Sequence, residues 1–236
     1  MSAKTIDIRP AVYALLLTAL NVIAFTAHAD PGRDSGIVST SGDIRFLRAP
    51  PRSVDLWELE SDDDLFVFAE RKRVLLTEDL PVDISRPGDY KNQRKPRDPR
   101  DWSVLSPGVI PAGTKVDAYY FHFDNASYTD NLSVRGYFAC QNQIRVSGRI
   151  TFAKPVLGIV MRAYARDGNY LGLSNEVLGL SEVEYCEHNF RHFPGANIAD
   201  GCGSDRFVLS KDRRTLWLTN FTDVHHDNYR VVVAAE

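Results

Sequence analysis

The chain has 236 residues, of which 28 are Lys or Arg and 31 are Asp or Glu, so its formal net charge is −3. With 44% hydrophobic residues, it is long and apolar enough to bury a core as one large domain or two small ones. This composition excludes collagen-like, coiled-coil and wholly disordered chains, and the negative charge argues against a dedicated nucleic-acid binder.

The first 29 residues have the pattern of a secretory signal peptide. Lys4 and Arg9 give a basic start, residues 11–26 form an apolar run, and Ala27-His28-Ala29 places small residues where a signal peptidase reads them. We therefore predict cleavage after Ala29 and a secreted or periplasmic protein without a transmembrane span in its mature part. The alternative is an uncleaved N-terminal anchor, for which the apolar run is marginally short.

Residues 30–42 are rich in Gly, Ser, Thr and Asp, which predicts a flexible lead-in to one domain at 43–236. Within that domain, residues 86–104 combine many basic residues with prolines, which predicts a solvated surface insertion. The alternative interpretation of the insertion is a basic patch for an acidic polysaccharide or a phospholipid headgroup.

The rest of the chain alternates β-prone runs with turn signals. Strands are predicted at residues 65–69, 74–84, 115–123, 144–152, 156–164, 207–209, 216–221 and 229–233. The run at 144–152 alternates apolar and polar residues, which is typical of a half-buried strand. The almost unbroken apolar run at 156–164 predicts a central strand that is buried on both faces.

No segment keeps a 3.6-residue apolar period for three turns. We therefore predict an all-β fold, namely an antiparallel β-sandwich that is jelly-roll-like and has at most short helical turns. Pro111-Ala112-Gly113-Thr114 is expected to form a tight turn into the aromatic strand at 115–123. His122 in that strand is expected to be a packed histidine rather than a ligand.

Export changes the interpretation of the three cysteines, because nearby thiols usually form disulfides in an oxidising compartment. Cys186 and Cys202 flank a loop that contains Gly, Asn and Pro, and a bridge there would stabilise the fold by about 3 kcal/mol. We favour this pair, in which case Cys140 has no disulfide partner. The other two pairings remain open, as do three buried free thiols.

A group of histidines suggests a zinc site. His188 and His192 are four residues apart, and His225, His226 and Asp227 follow near the C-terminal end. Three such ligands and a water would make a hydrolytic centre. However, no HExxH motif occurs and a Pro-Gly pair follows His192 closely, so exposed loop histidines are the favoured interpretation.

The acidic stretch at 58–64 offers oxygen ligands for Ca²⁺, but it lacks the spacing of an EF-hand and is expected to be a solvated turn. We therefore expect no cofactor, with Ca²⁺ and Zn²⁺ as the ions that the residues would suit. Neither a G-x-S-x-G elbow nor a P-loop occurs. Aromatic residues expected to be exposed, and able to stack on sugar rings, are Trp57, Tyr90, Trp102 and Tyr128.

Several short motifs follow one another in a recognisable order. They include Leu65-Phe66-Val67-Phe68-Ala69-Glu70, Leu80-Pro81-Val82-Asp83-Ile84, Gly148-Arg149-Ile150-Thr151-Phe152 and Asp227-Asn228-Tyr229-Arg230-Val231-Val232-Val233. This order resembles a group of uncharacterised secreted bacterial proteins, many of which carry a C-terminal sorting anchor of the PEP-CTERM type. The resemblance covers roughly residues 43–236 and implies a jelly-roll-like extracellular β-sandwich. It implies no catalytic residues, and no anchor is recognised before Glu236.

These observations together predict a secreted module without catalytic activity. We expect it to bind an extracellular ligand such as a carbohydrate, or to have a structural role in a matrix, and we expect no nucleic-acid partner. The alternative function is a metal-dependent hydrolase that uses His188, His192 and the His225-His226-Asp227 segment. Nothing in the sequence predicts the oligomeric state.

Overall fold

A computed structural model describes residues 36–55, 58–91, 105–126, 144–161, 170–185, 205–222 and 226–236. The elements in these ranges are β1 (Ile37–Gly42), β2 (Ile44–Leu47), β3 (Leu65–Ala69), β4 (Val74–Leu75), β5 (Leu80–Val82), β6 (Gly88–Lys91), β7 (Gly108–Ile110), β8 (Lys115–Phe123), β9 (Ile144–Phe152), β10 (Val156–Val160), α1 (Tyr170–Leu178), β11 (Arg206–Leu209), β12 (Thr215–Thr222) and β13 (Asp227–Ala234). Strands dominate, so the all-β prediction is confirmed.

Two sheets form a sandwich. Sheet A has the strand order β1-β9-β12-β11-β6, and every neighbouring pair in it is antiparallel. Sheet B has the order β10-β13-β8-β3-β2, with β4 also paired to β8. Its one parallel contact joins β2 to β3, which departs from the purely antiparallel sandwich that was predicted. Strands β5 and β7 form a separate two-stranded ribbon.

The main core lies between the inner faces of the two sheets. Tyr119 of sheet B packs on Phe152 of sheet A with ring centroids 5.1 Å apart, and Phe207 meets Tyr229 edge-on at 5.0 Å. Large side chains of this kind each contribute about 1.5–3 kcal/mol through burial. The predicted half-buried strand is confirmed in β9, where Val146, Ile150 and Phe152 face this core.

A second apolar layer covers the outer face of sheet B. Side chains from β3, β8 and β13 pack there against the β5–β7 ribbon, against α1 and against residue 183. The members from the sheet include Phe68, Tyr120 and Val232, and those from the cover include Leu80, Ile110, Leu171, Leu178 and Val183. Within the described ranges, sheet B is therefore buried on both faces, whereas sheet A is covered on its inner face alone.

Residues 37–42, which were predicted to belong to a flexible lead-in, instead form β1. Ile37 is 6% exposed and pairs with Phe152, which anchors the segment to the core of the sandwich. At its other end, Gly42 has a φ of 74° and pairs with Gly148, so the two backbones approach closely where neither residue has a side chain. Tertiary pairing thus outweighs a loop-like composition.

Residues 88–91, which were predicted to belong to a surface insertion, instead form the edge strand β6. They pair with β11, and Tyr90 points into the core. Strand β10 also differs from the prediction, because it lies at the end of sheet B rather than at its centre. The edge of β10 that does not pair with β13 forms an isolated antiparallel bridge to Ile84, in which the N–H of Ile159 donates to the carbonyl of Ile84 at 2.9 Å.

Candidate functional site

The outer face of sheet A carries a set of aromatic, basic and hydroxyl side chains. Alternation along β12 sends Leu216 and Leu218 inward and Trp217 outward, where the indole is 42% exposed. We call the outward side chains of sheet A the Trp217 face. Its members are Ser39, Ser41, Asp89, Lys91, Arg145, Ser147, Arg149, Thr151, Arg206, Val208, Thr215, Trp217, Thr219 and Phe221.

Register places Trp217 in the middle of this face. It lies on the third of five strands, directly opposite Arg149 of β9 and Val208 of β11. Side chains that face each other across antiparallel strands have Cβ atoms about 4.5–5.5 Å apart. The indole therefore has a guanidinium-bearing neighbour on one side and a small apolar neighbour on the other.

The same arrangement recurs four residues away along the two strands. Arg145 lies opposite Phe221, and its guanidinium carbon is 5.9 Å from the centroid of the Phe221 ring. The two Arg–aromatic pairs are four residues apart on each strand, which corresponds to about 13 Å. Between them, Ser147 lies opposite Thr219, so that hydroxyl groups separate the two pairs.

The charges of the Trp217 face are unequal. Its acidic member, Asp89, is bound by Arg206, whose Nε donates to the carboxylate at 2.7 Å and whose Nη2 forms a second, short bond. The hydrogen bond from Arg206 lowers the pKa of Asp89. Arg149 has no hydrogen-bond or ion-pair partner among the described residues. The face is therefore net positive although the whole chain is net negative.

A buried histidine pair lies elsewhere, on the outer face of sheet B. His122 of β8 and His226, which precedes β13, are both fully buried, and their ring centroids are 5.7 Å apart. The Nδ1 of His122 lies 2.7 Å from the Oδ1 of Asn228, so Nδ1 is the protonated nitrogen in this orientation of the amide. The expectation that His122 is packed is confirmed.

Burial lowers the pKa of His122 and favours the neutral imidazole. The hydrogen bond to Asn228, the charge of Asp124 and the nearby backbone of Leu59 act in the opposite direction, but burial outweighs them. The ring is thus held neutral by its surroundings, which suits a packed polar contact between β8 and β13.

Of the five predicted zinc ligands, His226 and Asp227 fall within the described residues, and they lie on different faces of sheet B. His226 contacts His122 on the outer face, whereas Asp227 lies opposite Phe123 and shares the inner face with Tyr229. Burial, followed by the charges of Asp227 and Asp205, raises the pKa of Tyr229. His226 and Asp227 therefore do not converge on one ion.

No three His, Cys, Asp or Glu side chains in the described ranges come together in a way that could hold a metal ion. His188, His192 and His225 lie outside those ranges, so the zinc hydrolase stays a prediction. The acidic stretch at 58–64 contains a local turn, in which the Oγ of Ser61 accepts the N–H groups of Asp63 and Asp64. This agrees with the expected solvated turn.

Of the four aromatic residues predicted to be exposed, Tyr90 is the one within the described residues, and the prediction for it is wrong. Tyr90 is 8% exposed and its Oη donates to the carbonyl of Arg86 at 2.8 Å, so it belongs to the core and is not available to stack on a sugar. Trp57, Trp102 and Tyr128 lie outside the described residues, as do the cysteines Cys140, Cys186 and Cys202. The exposed aromatic that the sequence analysis missed is Trp217, although its alternation with two leucines already predicts an outward side chain.

No protein-family model, curated protein or solved structure matches this chain. Within the described ranges, no helix is both long and apolar enough to span a bilayer.

Proposed function

We propose that this chain is an exported, non-catalytic module that binds an extended carbohydrate on the Trp217 face. The observation that carries the proposal is the position of Trp217, which is exposed at the centre of a five-stranded sheet rather than on a loop. Export is part of the proposal and is supported by the signal-peptide pattern of the first 29 residues.

The chemistry of this face suits a sugar polymer. An indole ring offers a broad apolar surface for the C–H groups of a pyranose, at the low entropic cost of a side chain held between neighbouring strands. Hydroxyl groups lie near it on β9 and on β12 itself, and the Oγ1 atoms of Thr151 and Thr215 are 3.3 Å apart. Such groups exchange hydrogen bonds with sugar hydroxyls either directly or through water.

The side chains of this face are held in place by strand pairing before a ligand binds. Trp217 and Phe221 project from β12, which pairs with β9 along its whole length and with β11 over residues 216–219. Groups that are fixed before the ligand arrives lose little conformational entropy when it binds. An extended polymer that lies along β9 and β12 would therefore meet preformed contacts.

The test is affinity electrophoresis of Trp217→Ala through gels that contain neutral or acidic polysaccharides. We expect the dissociation constant for the retained polymers to rise at least about tenfold, which corresponds to about 1.4 kcal/mol. Val109→Ala is the matched control, because Val109 is 54% exposed but lies on β7, away from sheet A. Equal retention of Trp217→Ala and the wild type, or no retention of the wild type by any polymer, would refute the proposal.

A further inference from the structure

The charge of the Trp217 face narrows the class of its ligand. The basic members of the face are Lys91, Arg145, Arg149 and Arg206, and its acidic member is Asp89, which Arg206 already binds with two hydrogen bonds. The chain as a whole has a formal charge of −3, so positive charge is concentrated on this sheet against the average of the molecule. Segregation of this kind attracts an anionic partner.

Two of the arginines are placed next to aromatic rings. Arg149 faces Trp217 and Arg145 faces Phe221, in two cross-strand pairs of an arginine and an aromatic residue that are separated by the pair Ser147–Thr219. A guanidinium group binds a carboxylate or a sulfate through two parallel hydrogen bonds, which fixes the orientation of the anion. Each pair thus combines a surface that stacks on a ring with a group that binds a charge beside that ring.

The repeat of the pairs indicates a polymer rather than a single small anion. The pairs are about 13 Å apart along parallel lines of β9 and β12, and hydroxyl side chains fill the interval. A linear chain with acidic groups at regular intervals can contact both pairs at once, and two linked contacts bind much more tightly than either alone.

We propose that the ligand of the Trp217 face is an acidic polysaccharide, with a sugar ring on Trp217 and its carboxylate or sulfate on Arg149. This inference rests on the proposed function and specifies its ligand class. Single-stranded nucleic acid is the competing anionic polymer. Proteins that bind it usually provide a basic groove in which successive aromatic side chains stack on the bases. The two aromatic residues of this face are instead about 13 Å apart along one strand.

The experiment compares polygalacturonate with its methyl-esterified form, because the two share a backbone and differ in the charge of the carboxyl group. Alginate and hyaluronan are further carboxylate polymers, dextran sulfate is the sulfate polymer, and an oligothymidylate represents nucleic acid. The proteins are the wild type, Arg149→Gln, Trp217→Ala and Arg214→Gln. Arg214 is an exposed arginine in the turn between β11 and β12, so its variant has the same charge change outside the face.

We expect the wild type to bind at least one acidic polymer tenfold more tightly than the methyl ester. Arg149→Gln should lose that preference, and a plot of affinity against salt concentration should become less steep. Trp217→Ala should weaken binding to the charged and the neutral polymers alike, whereas Arg214→Gln should bind like the wild type. Retention by the sulfate polymer but not by the carboxylate polymers would assign the anion as a sulfate.

Several outcomes would overturn the inference. If the ester binds as tightly as polygalacturonate while Trp217→Ala still loses affinity, the acidic ligand is wrong and the carbohydrate function stands. If Arg214→Gln weakens binding as much as Arg149→Gln, the attraction is nonspecific. Tighter retention by the oligothymidylate than by every polysaccharide would replace the ligand class. Retention by none of the polymers would refute the function itself.

Discussion

Arg230 and Glu70 form a two-point ion pair in which both side chains are completely buried. The Nε and Nη2 atoms of the arginine lie 2.6 and 2.7 Å from the two carboxylate oxygens. Further donors of the same guanidinium reach Ser174 and Asn175 of α1, and the hydroxyl of Tyr185 donates to Glu70 at 2.6 Å. The ion pair therefore fastens the helix to the outer face of sheet B.

Glu70→Gln should destabilise the protein strongly. The change keeps the size of the side chain but leaves the buried Arg230 without a countercharge, which typically costs 3–5 kcal/mol. We expect this loss in the free energy of unfolding measured with urea at pH 7. Arg45→Gln is the control, because Arg45 pairs with Asp64 at 3.2 Å while 59% exposed, and it should cost no more than about 1 kcal/mol.

Replacing both partners separates the charge effect from loss of shape. Because Glu70→Leu combined with Arg230→Met removes both buried charges, we expect the double variant to recover most of the stability that Glu70→Gln loses. If Glu70→Gln is no less stable than Arg45→Gln, the buried ion pair does not contribute more to the free energy of unfolding than the exposed one. A double variant as unstable as Glu70→Gln would assign the loss to packing.

The stability of the fold should depend on pH through His122. In the unfolded chain, an imidazole takes up a proton below about pH 6.5, whereas burial keeps His122 neutral to a lower pH in the folded protein. The unfolded state then binds more protons, so this contribution to stability is complete above about pH 6.5 and is lost as the pH falls below it. The slope for one proton is at most about 1.4 kcal/mol per pH unit.

His122→Gln tests this dependence because glutamine does not titrate. We expect the variant to be less stable than the wild type at pH 7.5 and the difference between their free energies of unfolding to narrow at pH 5.5. Urea unfolding of both proteins at the two pH values measures it, since the other titrating groups are common to both. A difference that stays constant with pH would exclude His122 as the group responsible.

Gly42 and Gly113 provide a comparison between two left-handed glycines. Both have positive φ, 74° and 81°, but a Cβ at Gly42 would lie 2.4 Å from the carbonyl oxygen of Ser147, whereas a Cβ at Gly113 would meet nothing within 4 Å. We expect Gly113→Ala to cost about 1–2 kcal/mol from backbone strain. Gly42→Ala should cost at least about 1 kcal/mol more, because β1 must move away from β9. Equal losses in urea unfolding would show that the contact relaxes freely.

Local pattern was sufficient for the strands that pack a regular apolar face. The predicted ranges of β3, β8 and β9 agree with the structure because their side chains alternate or are uniformly apolar. Helix α1 was not predicted, since Gly172, Ser174 and Asn175 are weak helix formers. Its buried residues Leu171, Ser174 and Leu178 nevertheless have helical spacing. A buried serine among them is explained by Arg230, which donates a hydrogen bond to its hydroxyl group.

The candidate site was partly accessible from the sequence in the same way. Trp217 is recognisable as outward-facing from β12 alone, because a strand alternates its faces. What the sequence could not supply is register, which places Arg149 of β9 beside Trp217 and pairs the distant residues His122 and His226. Both relationships depend on which strands become neighbours, and composition or periodicity does not contain that information.

The strand order also has a consequence for how the chain folds. Strand β12 occupies the middle of sheet A, and β13 lies between β10 and β8 in sheet B, so each sheet receives an interior strand from the last part of the chain. Strand β1 pairs with β9, which lies about 100 residues later in the chain. Folds dominated by such long-range contacts fold slowly, in milliseconds to seconds. Neither half of the sandwich can close during synthesis until β12 and β13 have emerged from the ribosome.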